Sequence, residues 1–329
     1  IRECVRKLIE YQTEDYPDTM IQKEQTNLNA LYDAFEKKYK RINTRANKSV
    51  FADDSSFCLL SSLEVLDDEG NFVRKADMFS KRTIRQHTEI TVPNILYSDP
   101  AGNLCGAPWV VMERLPGVHR DKCPLPSAEK HRRTAEMLAQ IHNVSGTGYG
   151  YVQNGLYENW ADAYISMIEN LLADARRMGK TSRRGQRLLA YARQYRAVLA
   201  TAPCVMVNFD LWSSNILCHT VGGQTRFAWI DPERSLWGDP VLDFLPLESF
   251  TAPLDKKILS LAAHNALCRV PVQVNRETRL RYAFAQGLLA LIQEVEKYYR
   301  YTPLSQGWMV DIGGASVAYK AAFAALRRG

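Results

Sequence analysis

The sequence lacks the signatures of a zinc site and of a disulfide framework. Its seven cysteines are scattered at positions 4, 58, 105, 123, 204, 218 and 268, and no two of them form a Cys-x-x-Cys pair. Structural zinc sites and redox dithiols usually need such closely spaced pairs. We therefore expect reduced cysteines, most of them packed in the protein interior.

Long apolar runs are also missing. No uninterrupted apolar stretch approaches the roughly 18–20 residues that a membrane span needs. Charged residues follow directly on Ile1, which is untypical of a secretory signal. We expect a cytoplasmic protein without a membrane partner. Its 329 residues, 46% of them hydrophobic, are enough for two lobes with buried cores.

Positive charge is present but not concentrated. The formal net charge is +6, and the Lys and Arg residues are spread in short groups along the chain. Nucleic-acid-binding surfaces usually combine clustered cations with interleaved aromatic residues. We expect most of these cations to lie on solvated helix faces, and we expect no nucleic-acid partner.

Glycine does not occur before Gly70. Loops that cradle phosphates normally need glycine, because their backbone N–H groups approach the phosphates with φ values that other residues resist. Asparagine adopts such values at modest cost. The segment 25–29, with Asn27 and Asn29, could therefore form a glycine-free phosphate loop, and an ordinary turn is an equally good interpretation.

The most informative segment runs from Val205 to Glu233. An apolar run, predicted to be a buried strand, leads to Asp210 and then to Asn215 five residues later. A predicted hairpin with its turn at Gly222 follows and brings Asp231 back beside Asn215. Oxygen-bearing side chains that converge in this way suit Mg²⁺ and phosphoryl transfer. The alternative is that the three residues belong to turns and helix caps.

Three short motifs in this region resemble the aminoglycoside phosphotransferase and choline kinase group. They are Asn-Phe-Asp-x-x-x-x-Asn at 208–215, Ile-Asp-Pro-Glu at 230–233 and Gly-Asp-Pro-x-x-Asp-Phe at 238–244. Residues 93–117 are similar to the two strands that lead into the interlobe hinge of that group. The resemblance extends from near residue 92 to the C-terminus and is weak before it.

The resemblance implies an α+β, two-lobed protein-kinase-like fold, with a small β-rich N-terminal lobe and a larger, mainly helical C-terminal lobe. The expected boundaries are 1–112 for the nucleotide-binding lobe, 113–117 for the hinge and 118–329 for the catalytic and acceptor-binding lobe. Apolar spacing in the larger lobe predicts helices, which we place at 128–142 with Ser127 as the N-cap, 160–177, 188–199, 278–299 and 314–326.

The resemblance also implies a nucleotide, ATP or GTP, bound in the cleft between the lobes. The backbone near Glu113 and Leu115 would bind the adenine, and Met112 would wall the pocket. Arg74 or Lys75 would contact the phosphates, although Glu89 is the only acid near enough in sequence to position either. A competing assignment uses Lys38 or Lys40 with Glu64, and the sequence does not decide between the two.

By the same resemblance, Asp210 would orient the acceptor hydroxyl and accept its proton, while Asn215 and Asp231 would bind Mg²⁺. The expected activity is ATP-dependent transfer of the γ-phosphate to a hydroxyl of a small molecule, an antibiotic in the first instance. A metabolite kinase for choline, homoserine or a fructosamine is the alternative, as is an inactive kinase-like binding module. One departure from the pattern is Asn208, where the group has His as a support for the loop.

Several further residues are candidates for supporting roles. We expect His142 to be a buried structural residue and Asp243 to cap or anchor the helix after the hairpin, with an acceptor-side role still open. The basic net charge leaves room for a neutral or anionic acceptor. The candidates for lining the acceptor pocket are Tyr157, Trp160, Glu233, Glu248 and Trp308.

Overall fold

The structure is a computed structural model that describes residues 57–60, 83–99, 109–232, 234–250, 252–301, 303 and 305–328. Within these residues the strands are Phe57–Leu60 (β1), Ile95–Asp99 (β2), Trp109–Glu113 (β3), Val118–His119 (β4), Val205–Val207 (β5), Ile216–Val221 (β6), Gln224–Trp229 (β7) and Leu236–Gly238 (β8). The helices are Ser127–His142 (α1), Trp160–Arg177 (α2), Arg183–Gln194 (α3), Arg196–Leu199 (α4), Ile258–Asn265 (α5), Arg276–Arg300 (α6) and Gln306–Leu326 (α7), with one more helical segment at 83–87.

The strands form three small antiparallel sheets. The first has the order β1-β3-β2, with Leu59 opposite Val111 in its register. The second, β4-β6-β7, contains the predicted hairpin, whose turn at Gly222 and Gly223 has positive φ at both residues. The third pairs β5 with β8. Residues 113–117 run from the end of β3 to the start of β4 and so connect the first sheet to the second.

Most of the helices begin and end close to the predicted positions, although the predicted N-cap Ser127 is the first residue of α1 and makes no capping hydrogen bond there. Helix α2 has the predicted bounds, and α6 begins at Arg276, where Asn275 and Thr278 form a reciprocal capping box. The helix predicted at 188–199 is wrong as one element, because the chain forms α3 and α4 with a break at Tyr195. Helix α7 starts earlier than predicted, since the Ser305 side chain caps it.

Helix α6 is the centre of the larger lobe. It packs against α2, α3 and α7, and its middle is almost completely buried. The close crossing with α3 depends on Gly287, where an added Cβ would lie 2.5 Å from a methyl group of Leu188. Such a contact is far inside van der Waals distance, so a larger residue would require the Leu188 side chain to move.

Helix α7 is the one described helix that is long and apolar enough to cross a membrane, judged by length and composition alone. Asp311 and Lys320 interrupt its apolar sequence. The helix packs along α6 and buries residues of its C-terminal half, including Tyr319 and Phe323. Only 33% of its most apolar window is buried, so the helix packs on α6 with one face and leaves the rest accessible. The absence of a membrane partner stays a prediction.

Candidate active site

Strand β5 delivers the predicted catalytic loop to the centre of the larger lobe. Its three residues, Val205–Val207, are all buried and pair with β8. The chain then passes through Asn208 and Phe209 to Asp210, whose side chain is 19% exposed. The carboxylate of Asp210 is therefore fixed by a rigid strand behind it and still reaches solvent.

The loop is held from below by Asp243. This side chain is completely buried, and its two carboxylate oxygens accept hydrogen bonds from the backbone N–H groups of Asn208 (2.9 Å) and Phe209 (2.6 Å). Of the two expected roles, capping the following helix is wrong, whereas anchoring is confirmed, because Asp243 lies in the 3₁₀ segment Pro240–Phe244 and ties it to the loop. Asp239 is the cap, because its side chain accepts from the N–H of Val241 at the start of this segment.

Asn208 supports the loop in the place where the resembling enzymes have His. Its side-chain oxygen accepts a hydrogen bond of 2.6 Å from the backbone N–H of Asp210. This hydrogen bond spans Phe209 and links Asn208 directly to Asp210. The side-chain NH₂ of Asn208 is buried, and no residue in the described part of the chain accepts a hydrogen bond from it.

Backbone strain is concentrated at the same place. Phe209 has φ 62°, a left-handed conformation that bulky side chains rarely adopt. Its ring is buried in the core and its N–H donates to Asp243, so packing and hydrogen bonding together hold the unfavourable conformation. Strained residues of this kind cluster at functional sites, where the surrounding structure fixes them.

Asn215 closes the loop against Asp210. Its side-chain NH₂ donates to the backbone carbonyl of Asp210 (2.8 Å) and to one of its carboxylate oxygens (3.3 Å). A 3₁₀ turn at Ser213–Asn215 makes this possible, and the N–H of Asn215 donates to the carbonyl of Trp212 within it. The spacing of five residues between Asp210 and Asn215 therefore produces a direct contact.

The hairpin brings Asp231 to the same point. Ile216 lies opposite Trp229 in the register, and the N–H of Ile230 donates to the carbonyl of Asn215 at 2.9 Å. Asp231 follows directly, with φ 60°, a left-handed conformation that Asp tolerates better than most residues. The structure thus brings together Asp210, Asn215 and Asp231, as the sequence predicted.

The donor atoms at this point are compatible with Mg²⁺. Because the NH₂ of Asn215 points to Asp210, its side-chain oxygen faces away, with a contact of 3.4 Å to the Ser214 hydroxyl. Asp231 adds a carboxylate. Among the described residues no group of three or more His, Cys, Asp and Glu could hold a metal alone. Two oxygen ligands completed by phosphates and water are typical of nucleotide-bound Mg²⁺.

A buried arginine ties the turn to helix α1. The guanidinium of Arg120 donates to the hydroxyl of Ser213 (3.0 and 3.2 Å) and to that of Thr134 (3.0 Å). Sequence analysis gave Arg120 no role, because this contact spans 93 residues. The turn that carries Asn215 is therefore held by Arg120 through Ser213, in addition to the contact of Asn215 with Asp210.

Comparison with known proteins identifies this arrangement. The model of the phosphotransferase enzyme family (APH) matches residues 67–281, well over half of the chain. The chain belongs to this family. It is a small-molecule kinase, as the sequence predicted. No curated protein sequence matches it.

Solved structures agree on the fold. A choline/ethanolamine kinase family protein from Mesorhizobium loti has a TM-score of 0.53 at 15% identity, with 84% of this chain and 88% of that one covered. The aminoglycoside phosphotransferase APH(2'')-Ib, bound to ADP, has a TM-score of 0.51 at 14% identity over 86% and 96% of the two chains. An ethanolamine kinase from Plasmodium vivax gives 0.52 at 13% identity over 82% and 76%. The predicted kinase-like α+β fold is confirmed.

The electrostatic setting of Asp210 was not foreseen. Burial raises the pKa of the Asp210 carboxyl, and the guanidinium of Arg234 opposes this effect. Arg234 lies 3.5 Å from the Asp210 carboxylate and 2.5 Å from Glu296 on α6. Arg300, one turn later on α6, also contacts Glu296 at 3.3 Å. A chain of alternating charges therefore runs from α6 to the predicted catalytic carboxylate.

Sequence reasoning missed this chain of charges because its members are distant in sequence. Arg234 and Glu296 are 62 residues apart, and the helix that carries Glu296 was interpreted only through its apolar face. The available signal was the sequence spacing of Glu296 and Arg300, which suits an i,i+4 ion pair on a helix. Tyr151 lies close enough for the charges of Arg234, Asp210 and Glu296 to influence its pKa, which burial raises to about 12.

Two of the predicted pocket residues have structural roles. Trp160 is only 1% exposed and packs in the core beside Tyr149 and Tyr164. The carboxylate of Glu248 accepts from the backbone N–H groups of Leu259 and Ser260 and so caps helix α5. The prediction that Trp160 lines the acceptor pocket is wrong, because its side chain is buried. For Glu248, which caps α5 with one carboxylate oxygen, a place in the pocket stays a prediction.

For Tyr157 and Trp308, the role in the acceptor pocket stays a prediction. The hydroxyl of Tyr157 donates to Ser166, and Trp308 packs edge-on against Tyr298. Neither contact prevents a further role at the site. Glu233 lies outside the described residues.

Only some of the residues predicted to bind the nucleotide lie in the described part of the chain. Met112 and Glu113 end strand β3, and Leu115 follows in the connection to β4, half-buried. Glu89 is exposed, with its N–H donating to the side chain of Gln140. Arg74 and Lys75, like the competing Lys38, Lys40 and Glu64 and the loop 25–29, lie outside the described residues.

Proposed function

We propose that this kinase transfers the γ-phosphate of ATP to a hydroxyl group of a small molecule, and that the acceptor is an antibiotic. The observation that carries the transfer reaction is the closed loop in which Asn215 contacts Asp210 while the hairpin places Asp231 beside both. This arrangement supplies one carboxylate for the acceptor and two oxygen ligands for a metal ion. Phosphoryl transfer depends mainly on such positioning and on charge stabilisation.

Asp210 is the residue that contacts the acceptor. Its carboxylate is partly exposed, and its backbone is fixed by Asn208 and by β5. Burial raises the pKa of this carboxyl, which makes the ionised form a better proton acceptor than an ordinary aspartate. Asp210 therefore orients the acceptor hydroxyl and takes its proton as the acceptor oxygen bonds to the γ-phosphorus and the bond from that phosphorus to the bridging oxygen breaks, releasing ADP.

Asn215 and Asp231 would hold Mg²⁺ on the nucleotide phosphates. When bound, the ion neutralises charge on the β- and γ-phosphates. The side chains themselves fix where the phosphates lie relative to Asp210, because all three residues belong to one loop and one hairpin. The adenine, or the guanine of GTP, would bind to the backbone at Glu113 and Leu115, in the connection between β3 and β4.

The antibiotic acceptor is supported by the family and by structural likeness to an aminoglycoside phosphotransferase. The guanidinium of Arg234 near Asp210 adds a cation where the acceptor approaches, so neutral and anionic compounds belong in any test. A choline- or ethanolamine-type metabolite is the other outcome that the test must separate. The cytoplasmic location stays a proposal from composition alone.

The first experiment is calorimetric titration with Mg-ATP of the wild type and of Asp231→Ala, Asp210→Ala and Asp255→Ala. We expect Asp231→Ala to lose affinity, because a metal ligand is removed. Asp210→Ala should bind Mg-ATP nearly as the wild type does. Asp255 is an exposed acid away from the site and serves as the control. Equal affinity in all four proteins would contradict the assignment of Asp231.

The second experiment measures ADP release with aminoglycosides, macrolides, peptide antibiotics and small alcohols, including choline and ethanolamine. One antibiotic consumed by the wild type and not by Asp210→Ala would support the proposal. If the enzyme phosphorylated only a metabolite, the proposed kinase activity would stand, but the proposal that the acceptor is an antibiotic would be overturned. Mg-ATP binding without turnover on a very broad panel would favour an inactive binding module.

A further inference from the structure

A buried chain of two histidines leads from helix α5 to the catalytic loop. The Nε2 atom of His142 lies 3.1 Å from a carboxylate oxygen of Asp243, and its Nδ1 atom lies 2.8 Å from Nε2 of His264. All three side chains are at most 2% exposed. Asp243 is the residue that holds the backbone N–H groups of Asn208 and Phe209, so this chain ends directly beneath the loop.

The far end of the chain is fixed by Asn265. Its side-chain NH₂ donates to the carbonyl of Val272 (3.1 Å), and its side-chain oxygen accepts from the N–H of Val272 (2.9 Å). These two bonds determine which way the amide points. The atom that faces Nδ1 of His264, 2.9 Å away, is therefore an oxygen, and His264 must donate to it.

Counting the hydrogens gives the charge of the chain. Both ends, the amide oxygen of Asn265 and the carboxylate of Asp243, are acceptors. Three contacts link them: Asn265 to His264, His264 to His142, and His142 to Asp243. Each contact needs one N–H hydrogen, but two neutral imidazoles carry only two such hydrogens. The chain therefore contains one proton more than two neutral histidines and an ionised aspartate would hold.

The hydrogen bonds of Asp243 determine where the extra proton is placed. Both carboxylate oxygens already accept a backbone N–H, an arrangement that favours a carboxylate, and this assigns the donor of the third contact to Nε2 of His142. Burial, followed by the charge of His142, lowers the pKa of His264 to about 3, which leaves His264 neutral with its hydrogen on Nδ1. Its Nε2 atom then accepts from Nδ1–H of His142.

We propose that His142 is a doubly protonated positioning residue at neutral pH, oriented by His264, and that its charge holds Asp243 and thereby the catalytic loop. Its effect on turnover rests on the proposed role of Asp210, whereas its protonation does not. A buried aspartate that binds two backbone N–H groups needs a compensating charge, since an uncompensated buried carboxylate is costly. His142 supplies that charge without approaching the substrate.

The protonation is tested on the wild-type protein by long-range ¹H–¹⁵N NMR with ¹⁵N-labelled histidine. Six histidines give six ring patterns. We expect one ring with both nitrogens protonated at neutral pH and one neutral ring with its hydrogen on Nδ1. In His264→Gln the neutral ring should be lost, whereas the doubly protonated ring should persist, because the Gln oxygen can still accept from His142. If His142 showed one unprotonated nitrogen, the proposal would be overturned, whatever the enzyme's activity.

The effect on the reaction is tested with two variants of His264. In His264→Gln the side-chain oxygen can still accept from His142, whereas His264→Leu offers no acceptor. We expect kcat to fall about tenfold or more in the Leu variant while the KM for ATP changes less than about twofold, because only the position of Asp210 is disturbed. The Gln variant should keep most of the wild-type kcat.

Equal losses in the two His264 variants, or a loss confined to KM, would show that the residue has only a packing role and would overturn the inference. Failure of the proposed function gives a different result. In that case the wild type itself would show no turnover, and the NMR pattern would still report the protonation of His142.

Discussion

Replacing Asp243 by Asn removes a charge and changes almost nothing in shape. In the native protein three donors converge on this buried carboxylate: the N–H groups of Asn208 and Phe209 and Nε2 of His142. An amide has only one acceptor oxygen. In its best orientation the amide oxygen accepts from Asn208 N–H and from Nε2 of His142, which share one carboxylate oxygen in the native protein. The amide NH₂ then faces the N–H of Phe209, and that hydrogen bond is lost.

The cost follows from these contacts. One hydrogen bond to a charged acceptor is lost, at about 1.5–3 kcal/mol. The buried partner His142 also loses its counter-charge, and breaking a buried ion pair in this way costs about 3–5 kcal/mol. The two effects overlap, so we expect a total loss of about 3–5 kcal/mol in the free energy of unfolding. Because the loop is then held by one backbone hydrogen bond instead of two and Asp210 shifts, kcat should fall by about 100-fold.

The assay is denaturant unfolding of the wild type, Asp243→Asn and Asp255→Asn, followed by steady-state kinetics. Asp255→Asn makes the same chemical change at an exposed site and should alter the free energy of unfolding by less than about 0.5 kcal/mol. If Asp243→Asn were as stable as this control and kept its kcat, Asp243 would not hold the loop.

Two further predictions concern the charges around the site. Arg234→Met should move the acid limb of the kcat profile to higher pH, because Arg234 lowers the pKa of Asp210, which works only when ionised; the same change at exposed Arg269 should leave the profile in place. Burial and the charge of Glu296 raise the pKa of Asp311 to about 6, so the ionised form destabilises the native state above that pH. Asp311→Asn should therefore be more stable at high pH, by about 1 kcal/mol after allowance for solvent screening, and should lose this gain once the pH falls below the ordinary pKa of Asp. A gain that did not depend on pH would refute the electrostatic explanation.

Local patterns were sufficient where an element depends on neighbouring residues. The hairpin of β6 and β7 was predictable, because adjacent glycines at 222 and 223 fix a two-residue turn and the turn fixes the register. That register places Ile230 against Asn215, and the convergence of Asp231 follows. Helix α2 was equally clear from its apolar spacing.

Helix α5 shows where local patterns fail. It was not predicted, because it is eight residues long and Lys257, at its N-cap position, makes no capping hydrogen bond through its side chain. The cap comes from Glu248, which lies 11 residues before Leu259 in the sequence. A cap supplied from so far away leaves no local signal, and the same distance concealed the structural role of Glu248.

The sequence alone determined the kinase-like fold, the family and the loop that carries Asp210 and Asn215, since each depends on short motifs and on strand and turn rules. The tertiary structure decided what surrounds Asp210. The contact of Arg234 with Glu296 spans 62 residues, and that of His142 with Asp243 spans 101. Such pairs form only because helices pack around a common core, and charge partners at that separation leave no periodic pattern in a single sequence.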